Sequence, residues 1–297
     1  MKRSLLSAFS LGALALLTAC GGGDTGASST PSSSAAPVSG TVTLNGSSAL
    51  DPLVAAAKDQ FEAANSQATI QHTPTNSGTG LSQVAAGAVN IGMSDYPASA
   101  ATGLANAAQL VDHQVAVSAF LLIADPAQSV RGLTKQQVHD IYTAKITNWK
   151  DVGGSSQAIV LIGRPASSGT RKGFDKIVMG SDPETGSMQP QPSGGGVVQL
   201  VSTTPGAIGY VGLGDLKPTS AVKKLQFDGV DPTIANVENG KFPLWFHEHM
   251  YTLGAATGAT KAFIDFMTSS SFQNGTAMQQ AQFAPVAKVK GTSPADQ

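Results

Sequence analysis

The chain has 297 residues, of which 12% are charged, with a formal net charge of −1 and a single cysteine. So slightly acidic a chain, without basic runs, excludes a nucleic-acid partner held by bulk charge, and one cysteine excludes a disulfide within the chain. Any anion site must therefore be built from local geometry.

Lys2 and Arg3 precede an apolar stretch from Leu5 to Leu17, which ends in Leu17-Thr18-Ala19-Cys20. This pattern predicts a signal peptide over residues 1–19, cleaved before a Cys20 that takes a lipid anchor; the apolar stretch is too short for a spanning helix. The lipidated cysteine and the Gly, Ser, Ala, Thr and Pro that follow it predict a flexible tether over residues 20–39. The expected location is the cell envelope, lipid-anchored to the membrane outside the cytoplasm, on its periplasmic or cell-surface face.

The folded part opens with a strand pattern at Thr41–Leu44, then Asn45-Gly46-Ser47-Ser48. Pro52 suits a first helical turn, and Leu53, Ala56, Ala57, Gln60, Phe61 and Ala64 recur at helical spacing. Residues 68–73 give a second strand, followed by Thr75-Asn76-Ser77-Gly78-Thr79-Gly80 and then Leu81, Val84 and Ala85. Asn90–Pro97 reads as a short strand ending in a polar turn, with Asp95 at its C-terminal end. The apolar run Val115–Ala124 is long enough to leave one sheet and enter another. Thr134 and Gln137 form a capping box that opens a helix with Val138, Ile141 and Tyr142 on its apolar face.

The apolar run Ala158–Ile162 enters Arg164-Pro165-Ala166-Ser167-Ser168-Gly169-Thr170-Arg171, with a helical pattern beginning near Lys172. A strand that runs into such a turn at a helix start gathers unpaired N–H groups, hydroxyls and guanidinium groups around one point, which is chemistry for an oxyanion. Gly206–Val211 and Ala221–Phe227 are further strand patterns, and Phe242–Phe246 is an apolar run that could return to the first sheet. Strands alternating with helices predict an α/β class. In open α/β sheets ligands collect beyond the carboxyl ends of the strands, where four hydroxyl-bearing or acidic turns would converge.

In this order, Gly46-Ser47-Ser48-Ala49-Leu50, Ser77-Gly78-Thr79-Gly80, Ser94-Asp95, Leu133-Thr134, Ile146-Thr147-Asn148-Trp149, Arg164 with Ser168-Gly169-Thr170-Arg171, Gly206–Tyr210 and Met250-Tyr251 match a known family. From about residue 40 to about 286 the chain resembles the phosphate-binding subunit of high-affinity phosphate ABC transporters. The resemblance implies a two-lobed periplasmic-binding-protein fold of type II, with the ligand cleft between lobes joined by crossover strands. It implies one lobe from residues 40–118 and 247–297 and a second from 119–246. It also implies phosphate ligands at Ser48 and the Ala49 N–H, at Ser77, at Asp95, and at Arg164, Ser168, Gly169 and Thr170. Asn76 stands where the family often has glycine. The partners implied are inorganic phosphate, the permease and ATPase subunits of an importer, and the membrane through the anchor. No cofactor, no metal and no enzymatic activity are expected, and the chain is expected to be a monomer.

A lone acidic acceptor among donors suits an anion that keeps a proton, as phosphate does; a receptor for sulfate, molybdate or tungstate is the competing reading. A hydrolase using Ser168 would need a positioned base, and none of His72, His113, His139, His247 and His249 is near it in sequence. His247-Glu248-His249 places two histidines on one strand face, but two ligands make a weak metal site, and polar packing near the lobe crossover is expected there. Arg171 is read as a support behind Arg164.

Overall fold

The computed structural model describes residues 37–184, 188–293 and 295. The signal peptide, Cys20 and nearly all of the tether lie outside the described residues.

Strand β1 (Ser39–Gly46) leads into α1 (Asp51–Ala64), β2 (Gln67–Pro74), α2 (Ser77–Ala85) and β3 (Ile91–Ser94), and β2 and β3 both run parallel to β1. The long β4 (Leu110–Ala124) follows, then β5 (Gly132–Leu133), α3 (Lys135–Tyr142), β6 (Val160–Gly163), α4 (Gly169–Phe174), β7 (Gln189–Pro190), α5 (Gly194–Thr203) and β8 (Ala207–Gly212). Next come β9 (Lys223–Lys224), β10 (Gln226–Phe227), α6 (Ile234–Glu238) and β11 (Trp245–Leu253). Helices α7 (Gly258–Thr268), α8 (Ser270–Gln273) and α9 (Thr276–Gln280), with β12 (Phe283–Ala284), complete the chain. The main sheet has the order β2-β1-β3-β11-β4-β8-β6-β7, and β4 pairs antiparallel with both β11 and β8. This is a mixed α/β architecture.

Besides a smaller core of Leu81, Val84, Tyr96, Ala98 and Tyr251, two large apolar cores hold most of the buried residues described. One gathers Val42, Leu44, Leu53, Val54, Phe61, Ile70, Ile91, Val115 and Ala116 with Met250 and Phe263. The other gathers Val117 and Ala119–Ala124 with Val138, Tyr142, Trp149, Phe174, Tyr210 and Phe246. The change of core falls between Ala116 and Val117 on β4, and between Phe246 and Met250 on β11. Both strands thus pass from one core to the other, which is why Val115–Ala124 is apolar on both faces: each face of it is covered.

The local signals explain most of the elements. Pro52 sits in the first turn of α1, and the Thr134–Gln137 capping box is fully formed. In α1 the buried stripe is Leu53, Val54, Ala57 and Phe61. Gln60 and Ala64, expected on that stripe, are exposed, because the apolar face is centred one residue earlier than the spacing read from Ala56 suggests. The helix after Arg164 begins at Gly169, not near Lys172. Ala221–Phe227 is not one strand: β9 pairs with β4 and β10 with β5, and the N–H of buried Leu225 between them donates to the Leu122 carbonyl at 3.0 Å. The run Phe242–Phe246 becomes strand only at Trp245, after Pro243, which has no N–H to give a ladder.

Candidate functional site

Four strand ends meet at one place. Ser48 follows β1, Ser77 opens α2 after β2, Asp95 follows β3, and Arg164 with Ser168, Gly169 and Thr170 links β6 to α4. All are buried. The first three belong to the half of the sheet beyond β11, and the last group to the half beyond β4.

Contacts run directly between the two groups. Thr170 Oγ1 donates to Asp95 Oδ2 at 3.0 Å, Arg164 Nη2 donates to Ser48 Oγ at 3.4 Å, and the Gly78 N–H donates to the Ser167 carbonyl at 3.1 Å. Gly169 makes this approach possible: a Cβ there would lie 2.6 Å from Asp95 Cβ, closer than two carbons can come, so only glycine lets the start of α4 rest against the turn after β3.

The hydroxyls share one arrangement. Ser77 Oγ accepts from the Asp95 N–H at 3.1 Å, Ser168 Oγ accepts from the Arg171 N–H at 3.3 Å, and Ser48 Oγ accepts from Arg164 Nη2 and from the Gly194 N–H, both at 3.4 Å. Each oxygen is thereby fixed as an acceptor; the hydroxyl protons of Ser48 and Ser168 remain to donate, while that of Ser77 bears on the Asp95 carboxyl. Ser168 is therefore both the helix cap and a donor. The Ala49 N–H is engaged differently: it donates to Ser47 Oγ at 3.0 Å. Asn76, the departure from the family pattern, caps α2 by accepting from the Thr79 N–H at 3.0 Å.

Arg164 is 1% exposed. Its Nε donates to the Gln191 carbonyl at 3.0 Å and its Nη2 to the Pro192 carbonyl at 3.1 Å, while Nη1 is buried without a partner among the described residues. Burial pulls the guanidinium's pKa down, and the neighbouring Asp95 and Asp215 oppose that. Arg171 stands behind it: Nη1 donates to the Arg164 carbonyl at 2.9 Å and Nη2 pairs with buried Glu184 at 3.0 Å.

Burial also pushes the Asp95 carboxyl upward, against the hydroxyls of Ser47, Thr170 and Ser77 and the charge of Arg164, which favour its anion. Two further acids adjoin it that the sequence reading missed. Asp215, just past β8, is pushed up to about 7 by burial. Glu248, on β11, is fully buried. Their signals were an acid at a strand's carboxyl end, as at Asp95, and a charge between apolar Phe246 and Met250 on the same strand face.

His247 and His249 pack in a ladder of rings with Trp245 and Tyr251, and His249 Nδ1 lies 2.8 Å from Asp112. His72 pairs with Asp51, His113 with Thr252 and His139 with Asp182. Among the described residues, no group of three or more His, Cys, Asp or Glu side chains could hold a metal ion, and no helix is long and apolar enough to cross a membrane.

The arrangement is a buried, donor-rich cluster around Arg164 and the Asp95 carboxylate, suited to a small oxyanion. Residues 31–271 match the model of the PBP superfamily domain. The chain is 40% identical over 301 residues to the phosphate-binding protein PstS of Bacillus subtilis, covering 100% of this chain and 99% of that one. Among solved structures it is similar to a Clostridium perfringens protein crystallised with bound phosphate (TM-score 0.77, 28% identity, 83% of this chain and 100% of that one). It is also similar to an ABC-type phosphate transport receptor from Vibrio cholerae (TM-score 0.62, 25% identity, 82% and 99%). The chain belongs to the PBP superfamily, and within it to the family of the phosphate-binding protein PstS.

Proposed function

We propose that this chain captures inorganic phosphate outside the cytoplasm and delivers it to the permease and ATPase subunits of an ABC importer, held to the membrane as a monomer by a lipid on Cys20. The reading makes it a binding protein and not an enzyme. Residues 40–118 with 247–297 form one lobe of the proposal and 119–246 the other, in keeping with the change of core along β4 and β11. Ser48, Ser77, Asp95, Arg164, Ser168, Gly169 and Thr170 would contact the anion. Ala49 can offer its N–H only by giving up Ser47 Oγ, so the part of that turn falls mainly to Ser48.

The observation that carries the reading is the Asp95 carboxylate set among the donors of three strand-to-helix junctions, with Arg164 across from it. Phosphate at neutral pH carries at least one proton, which an ionised Asp95 accepts as a charge-assisted hydrogen bond. Sulfate has the same shape and no proton, so its oxygen would meet the carboxylate lone pair to lone pair. A site built around such a bond rejects an analogue that lacks it by ~10⁴-fold.

Equilibrium dialysis of the full-length chain against radiolabelled phosphate tests this. One phosphate should be retained per chain, displaced by excess arsenate and not by excess sulfate. Displacement by sulfate at comparable concentration, or no retention at all, would contradict the proposal.

A further inference from the structure

The phosphate reading leaves one buried side chain without a task. Glu248 lies on β11 on the face opposite the Trp245-His247-His249-Tyr251 ladder, between Phe246, which stacks on Phe120, and Met250. β11 pairs with β3 so that His249 faces Ser94, and a bulge falls between Glu248 and His249. Asp95 is next after Ser94. The register therefore brings the Glu248 and Asp95 carboxyls within hydrogen-bonding reach, at the kind of irregularity that re-aims a side chain beside a site.

Were both ionised, the two Glu248 oxygens and Asp95 Oδ1 would be buried acceptors facing one another. No donor among the described residues reaches either Glu248 oxygen or Asp95 Oδ1. Of the other groups that face Glu248, the Ser118 hydroxyl on β4 donates to the Ala119 carbonyl at 3.3 Å and only weakly favours a Glu248 anion, and Asp215 beyond β8 is another acid. Two adjacent carboxylates in a dry site cannot both ionise, and one shared proton turns two unsatisfied acceptors into an O–H···O bond. Asp95 accepts from the Thr170 hydroxyl and lies in the field of Arg164, both of which favour its anion. The proton accordingly belongs on Glu248. Burial, reinforced by the charges of Asp95 and Asp215, pushes that carboxyl well above its ordinary range.

We propose that Glu248 is a positioning and specificity residue of the anion site, a neutral carboxylic acid that donates to Asp95, keeps it an anion and holds it in place for the proton of the ligand. The proposal rests on the phosphate reading of Asp95. Each carboxylate oxygen has about two lone-pair positions, and Asp95 Oδ1 is without a partner among the described residues, so a bond from Glu248 leaves capacity there for the ligand. Without the Glu248 donor, buried Asp95 would take up a proton itself, and a protonated Asp95 can donate to a bare sulfate oxygen. Glu248 therefore guards selectivity from beneath the site.

The test compares the full-length parent with Glu248→Gln, which keeps an N–H donor, and Glu248→Met, which fills the space without one. Infrared spectra at neutral pH should show the carbonyl band of a protonated carboxylic acid in the parent, and its loss in Glu248→Gln. In calorimetric titrations Glu248→Gln should keep the phosphate-to-sulfate preference within about threefold, and Glu248→Met should lower it by about tenfold or more. No band that depends on Glu248, or a parental preference in Glu248→Met, would overturn the proposal. Should Glu248→Met fail to fold, a Glu248→Gln variant that loses the preference would overturn it equally. A parent that binds no phosphate would refute the phosphate reading, and the infrared band would still decide whether Glu248 carries the proton.

Discussion

At the scale of single residues the site depends on charges placed where water cannot reach them. That Ser48, Ser77, Asp95, Arg164 and Ser168–Thr170 lie together was legible in the sequence, because turns at the carboxyl ends of strands carry a local signal, while their role as ligands rests on the family resemblance. Asp215 and Glu248 were not, since an acid is informative only when it is known to be buried, and burial is a property of the fold. Asp215 offers a direct check. Its carboxyl is pushed up to about 7 by burial, against the pull of Arg164, from an ordinary value of 3.8. The folded chain thus holds that proton more tightly than the unfolded chain does. The resulting stabilisation is fully present below the unfolded pKa and is lost as pH rises through about 7. Asp215→Asn should therefore melt close to the parent near pH ~4 and above it near pH ~8, with the gap opening between. A difference in Tm that does not change with pH would show that Asp215 is not held neutral by its surroundings.

At the scale of elements, the unit from β6 to α4 carries Arg164, the charge clamp of the proposed site, and is tied down at both ends. Arg164 is fixed by the carbonyls of Gln191 and Pro192 ahead of α5. Its own carbonyl is held by Arg171 from α4, whose charge is balanced by Glu184, and Glu184 in turn accepts from Tyr210 on β8 at 2.9 Å. Removing one partner of a buried, hydrogen-bonded charge pair costs ~2–5 kcal/mol. Arg164→Ala should accordingly weaken phosphate binding by about thirtyfold or more, and Arg171→Ala, which loosens the clamp without touching the anion, by only a few-fold. Equal losses in calorimetric titrations would place the clamp elsewhere. The sequence was least legible where elements begin and end. The helix starts at Gly169 because Ser168 caps it, although the clearest helical periodicity lies later. Likewise Ala221–Phe227 splits because Leu225 turns into the core and pairs with β4, a tertiary preference that local β-propensity does not contain.

At the scale of the whole molecule, the two large cores and the strands β4 and β11 that link them set the turns of the proposed anion site against one another. The run Val115–Ala124 announced its crossing by being apolar at every position but Ser118, and the return read at Phe242–Phe246 falls within β11, between Phe246 and Met250, where the histidines and Glu248 are polar residues that a buried strand carries only when other elements meet them. In the proposed mechanism phosphate bridges Ser48, Ser77 and Asp95 on one side and Arg164 and Ser168–Thr170 on the other, so that its binding energy favours the closed arrangement of the lobes. The most direct measurement is a crystal structure of the full-length chain grown with one equivalent of phosphate. It should show a single tetrahedral anion in contact with residues of both sets, with Asp95 at hydrogen-bonding distance from one of its oxygens. An anion held by one set alone, or one with Asp95 turned away from it, would contradict the account.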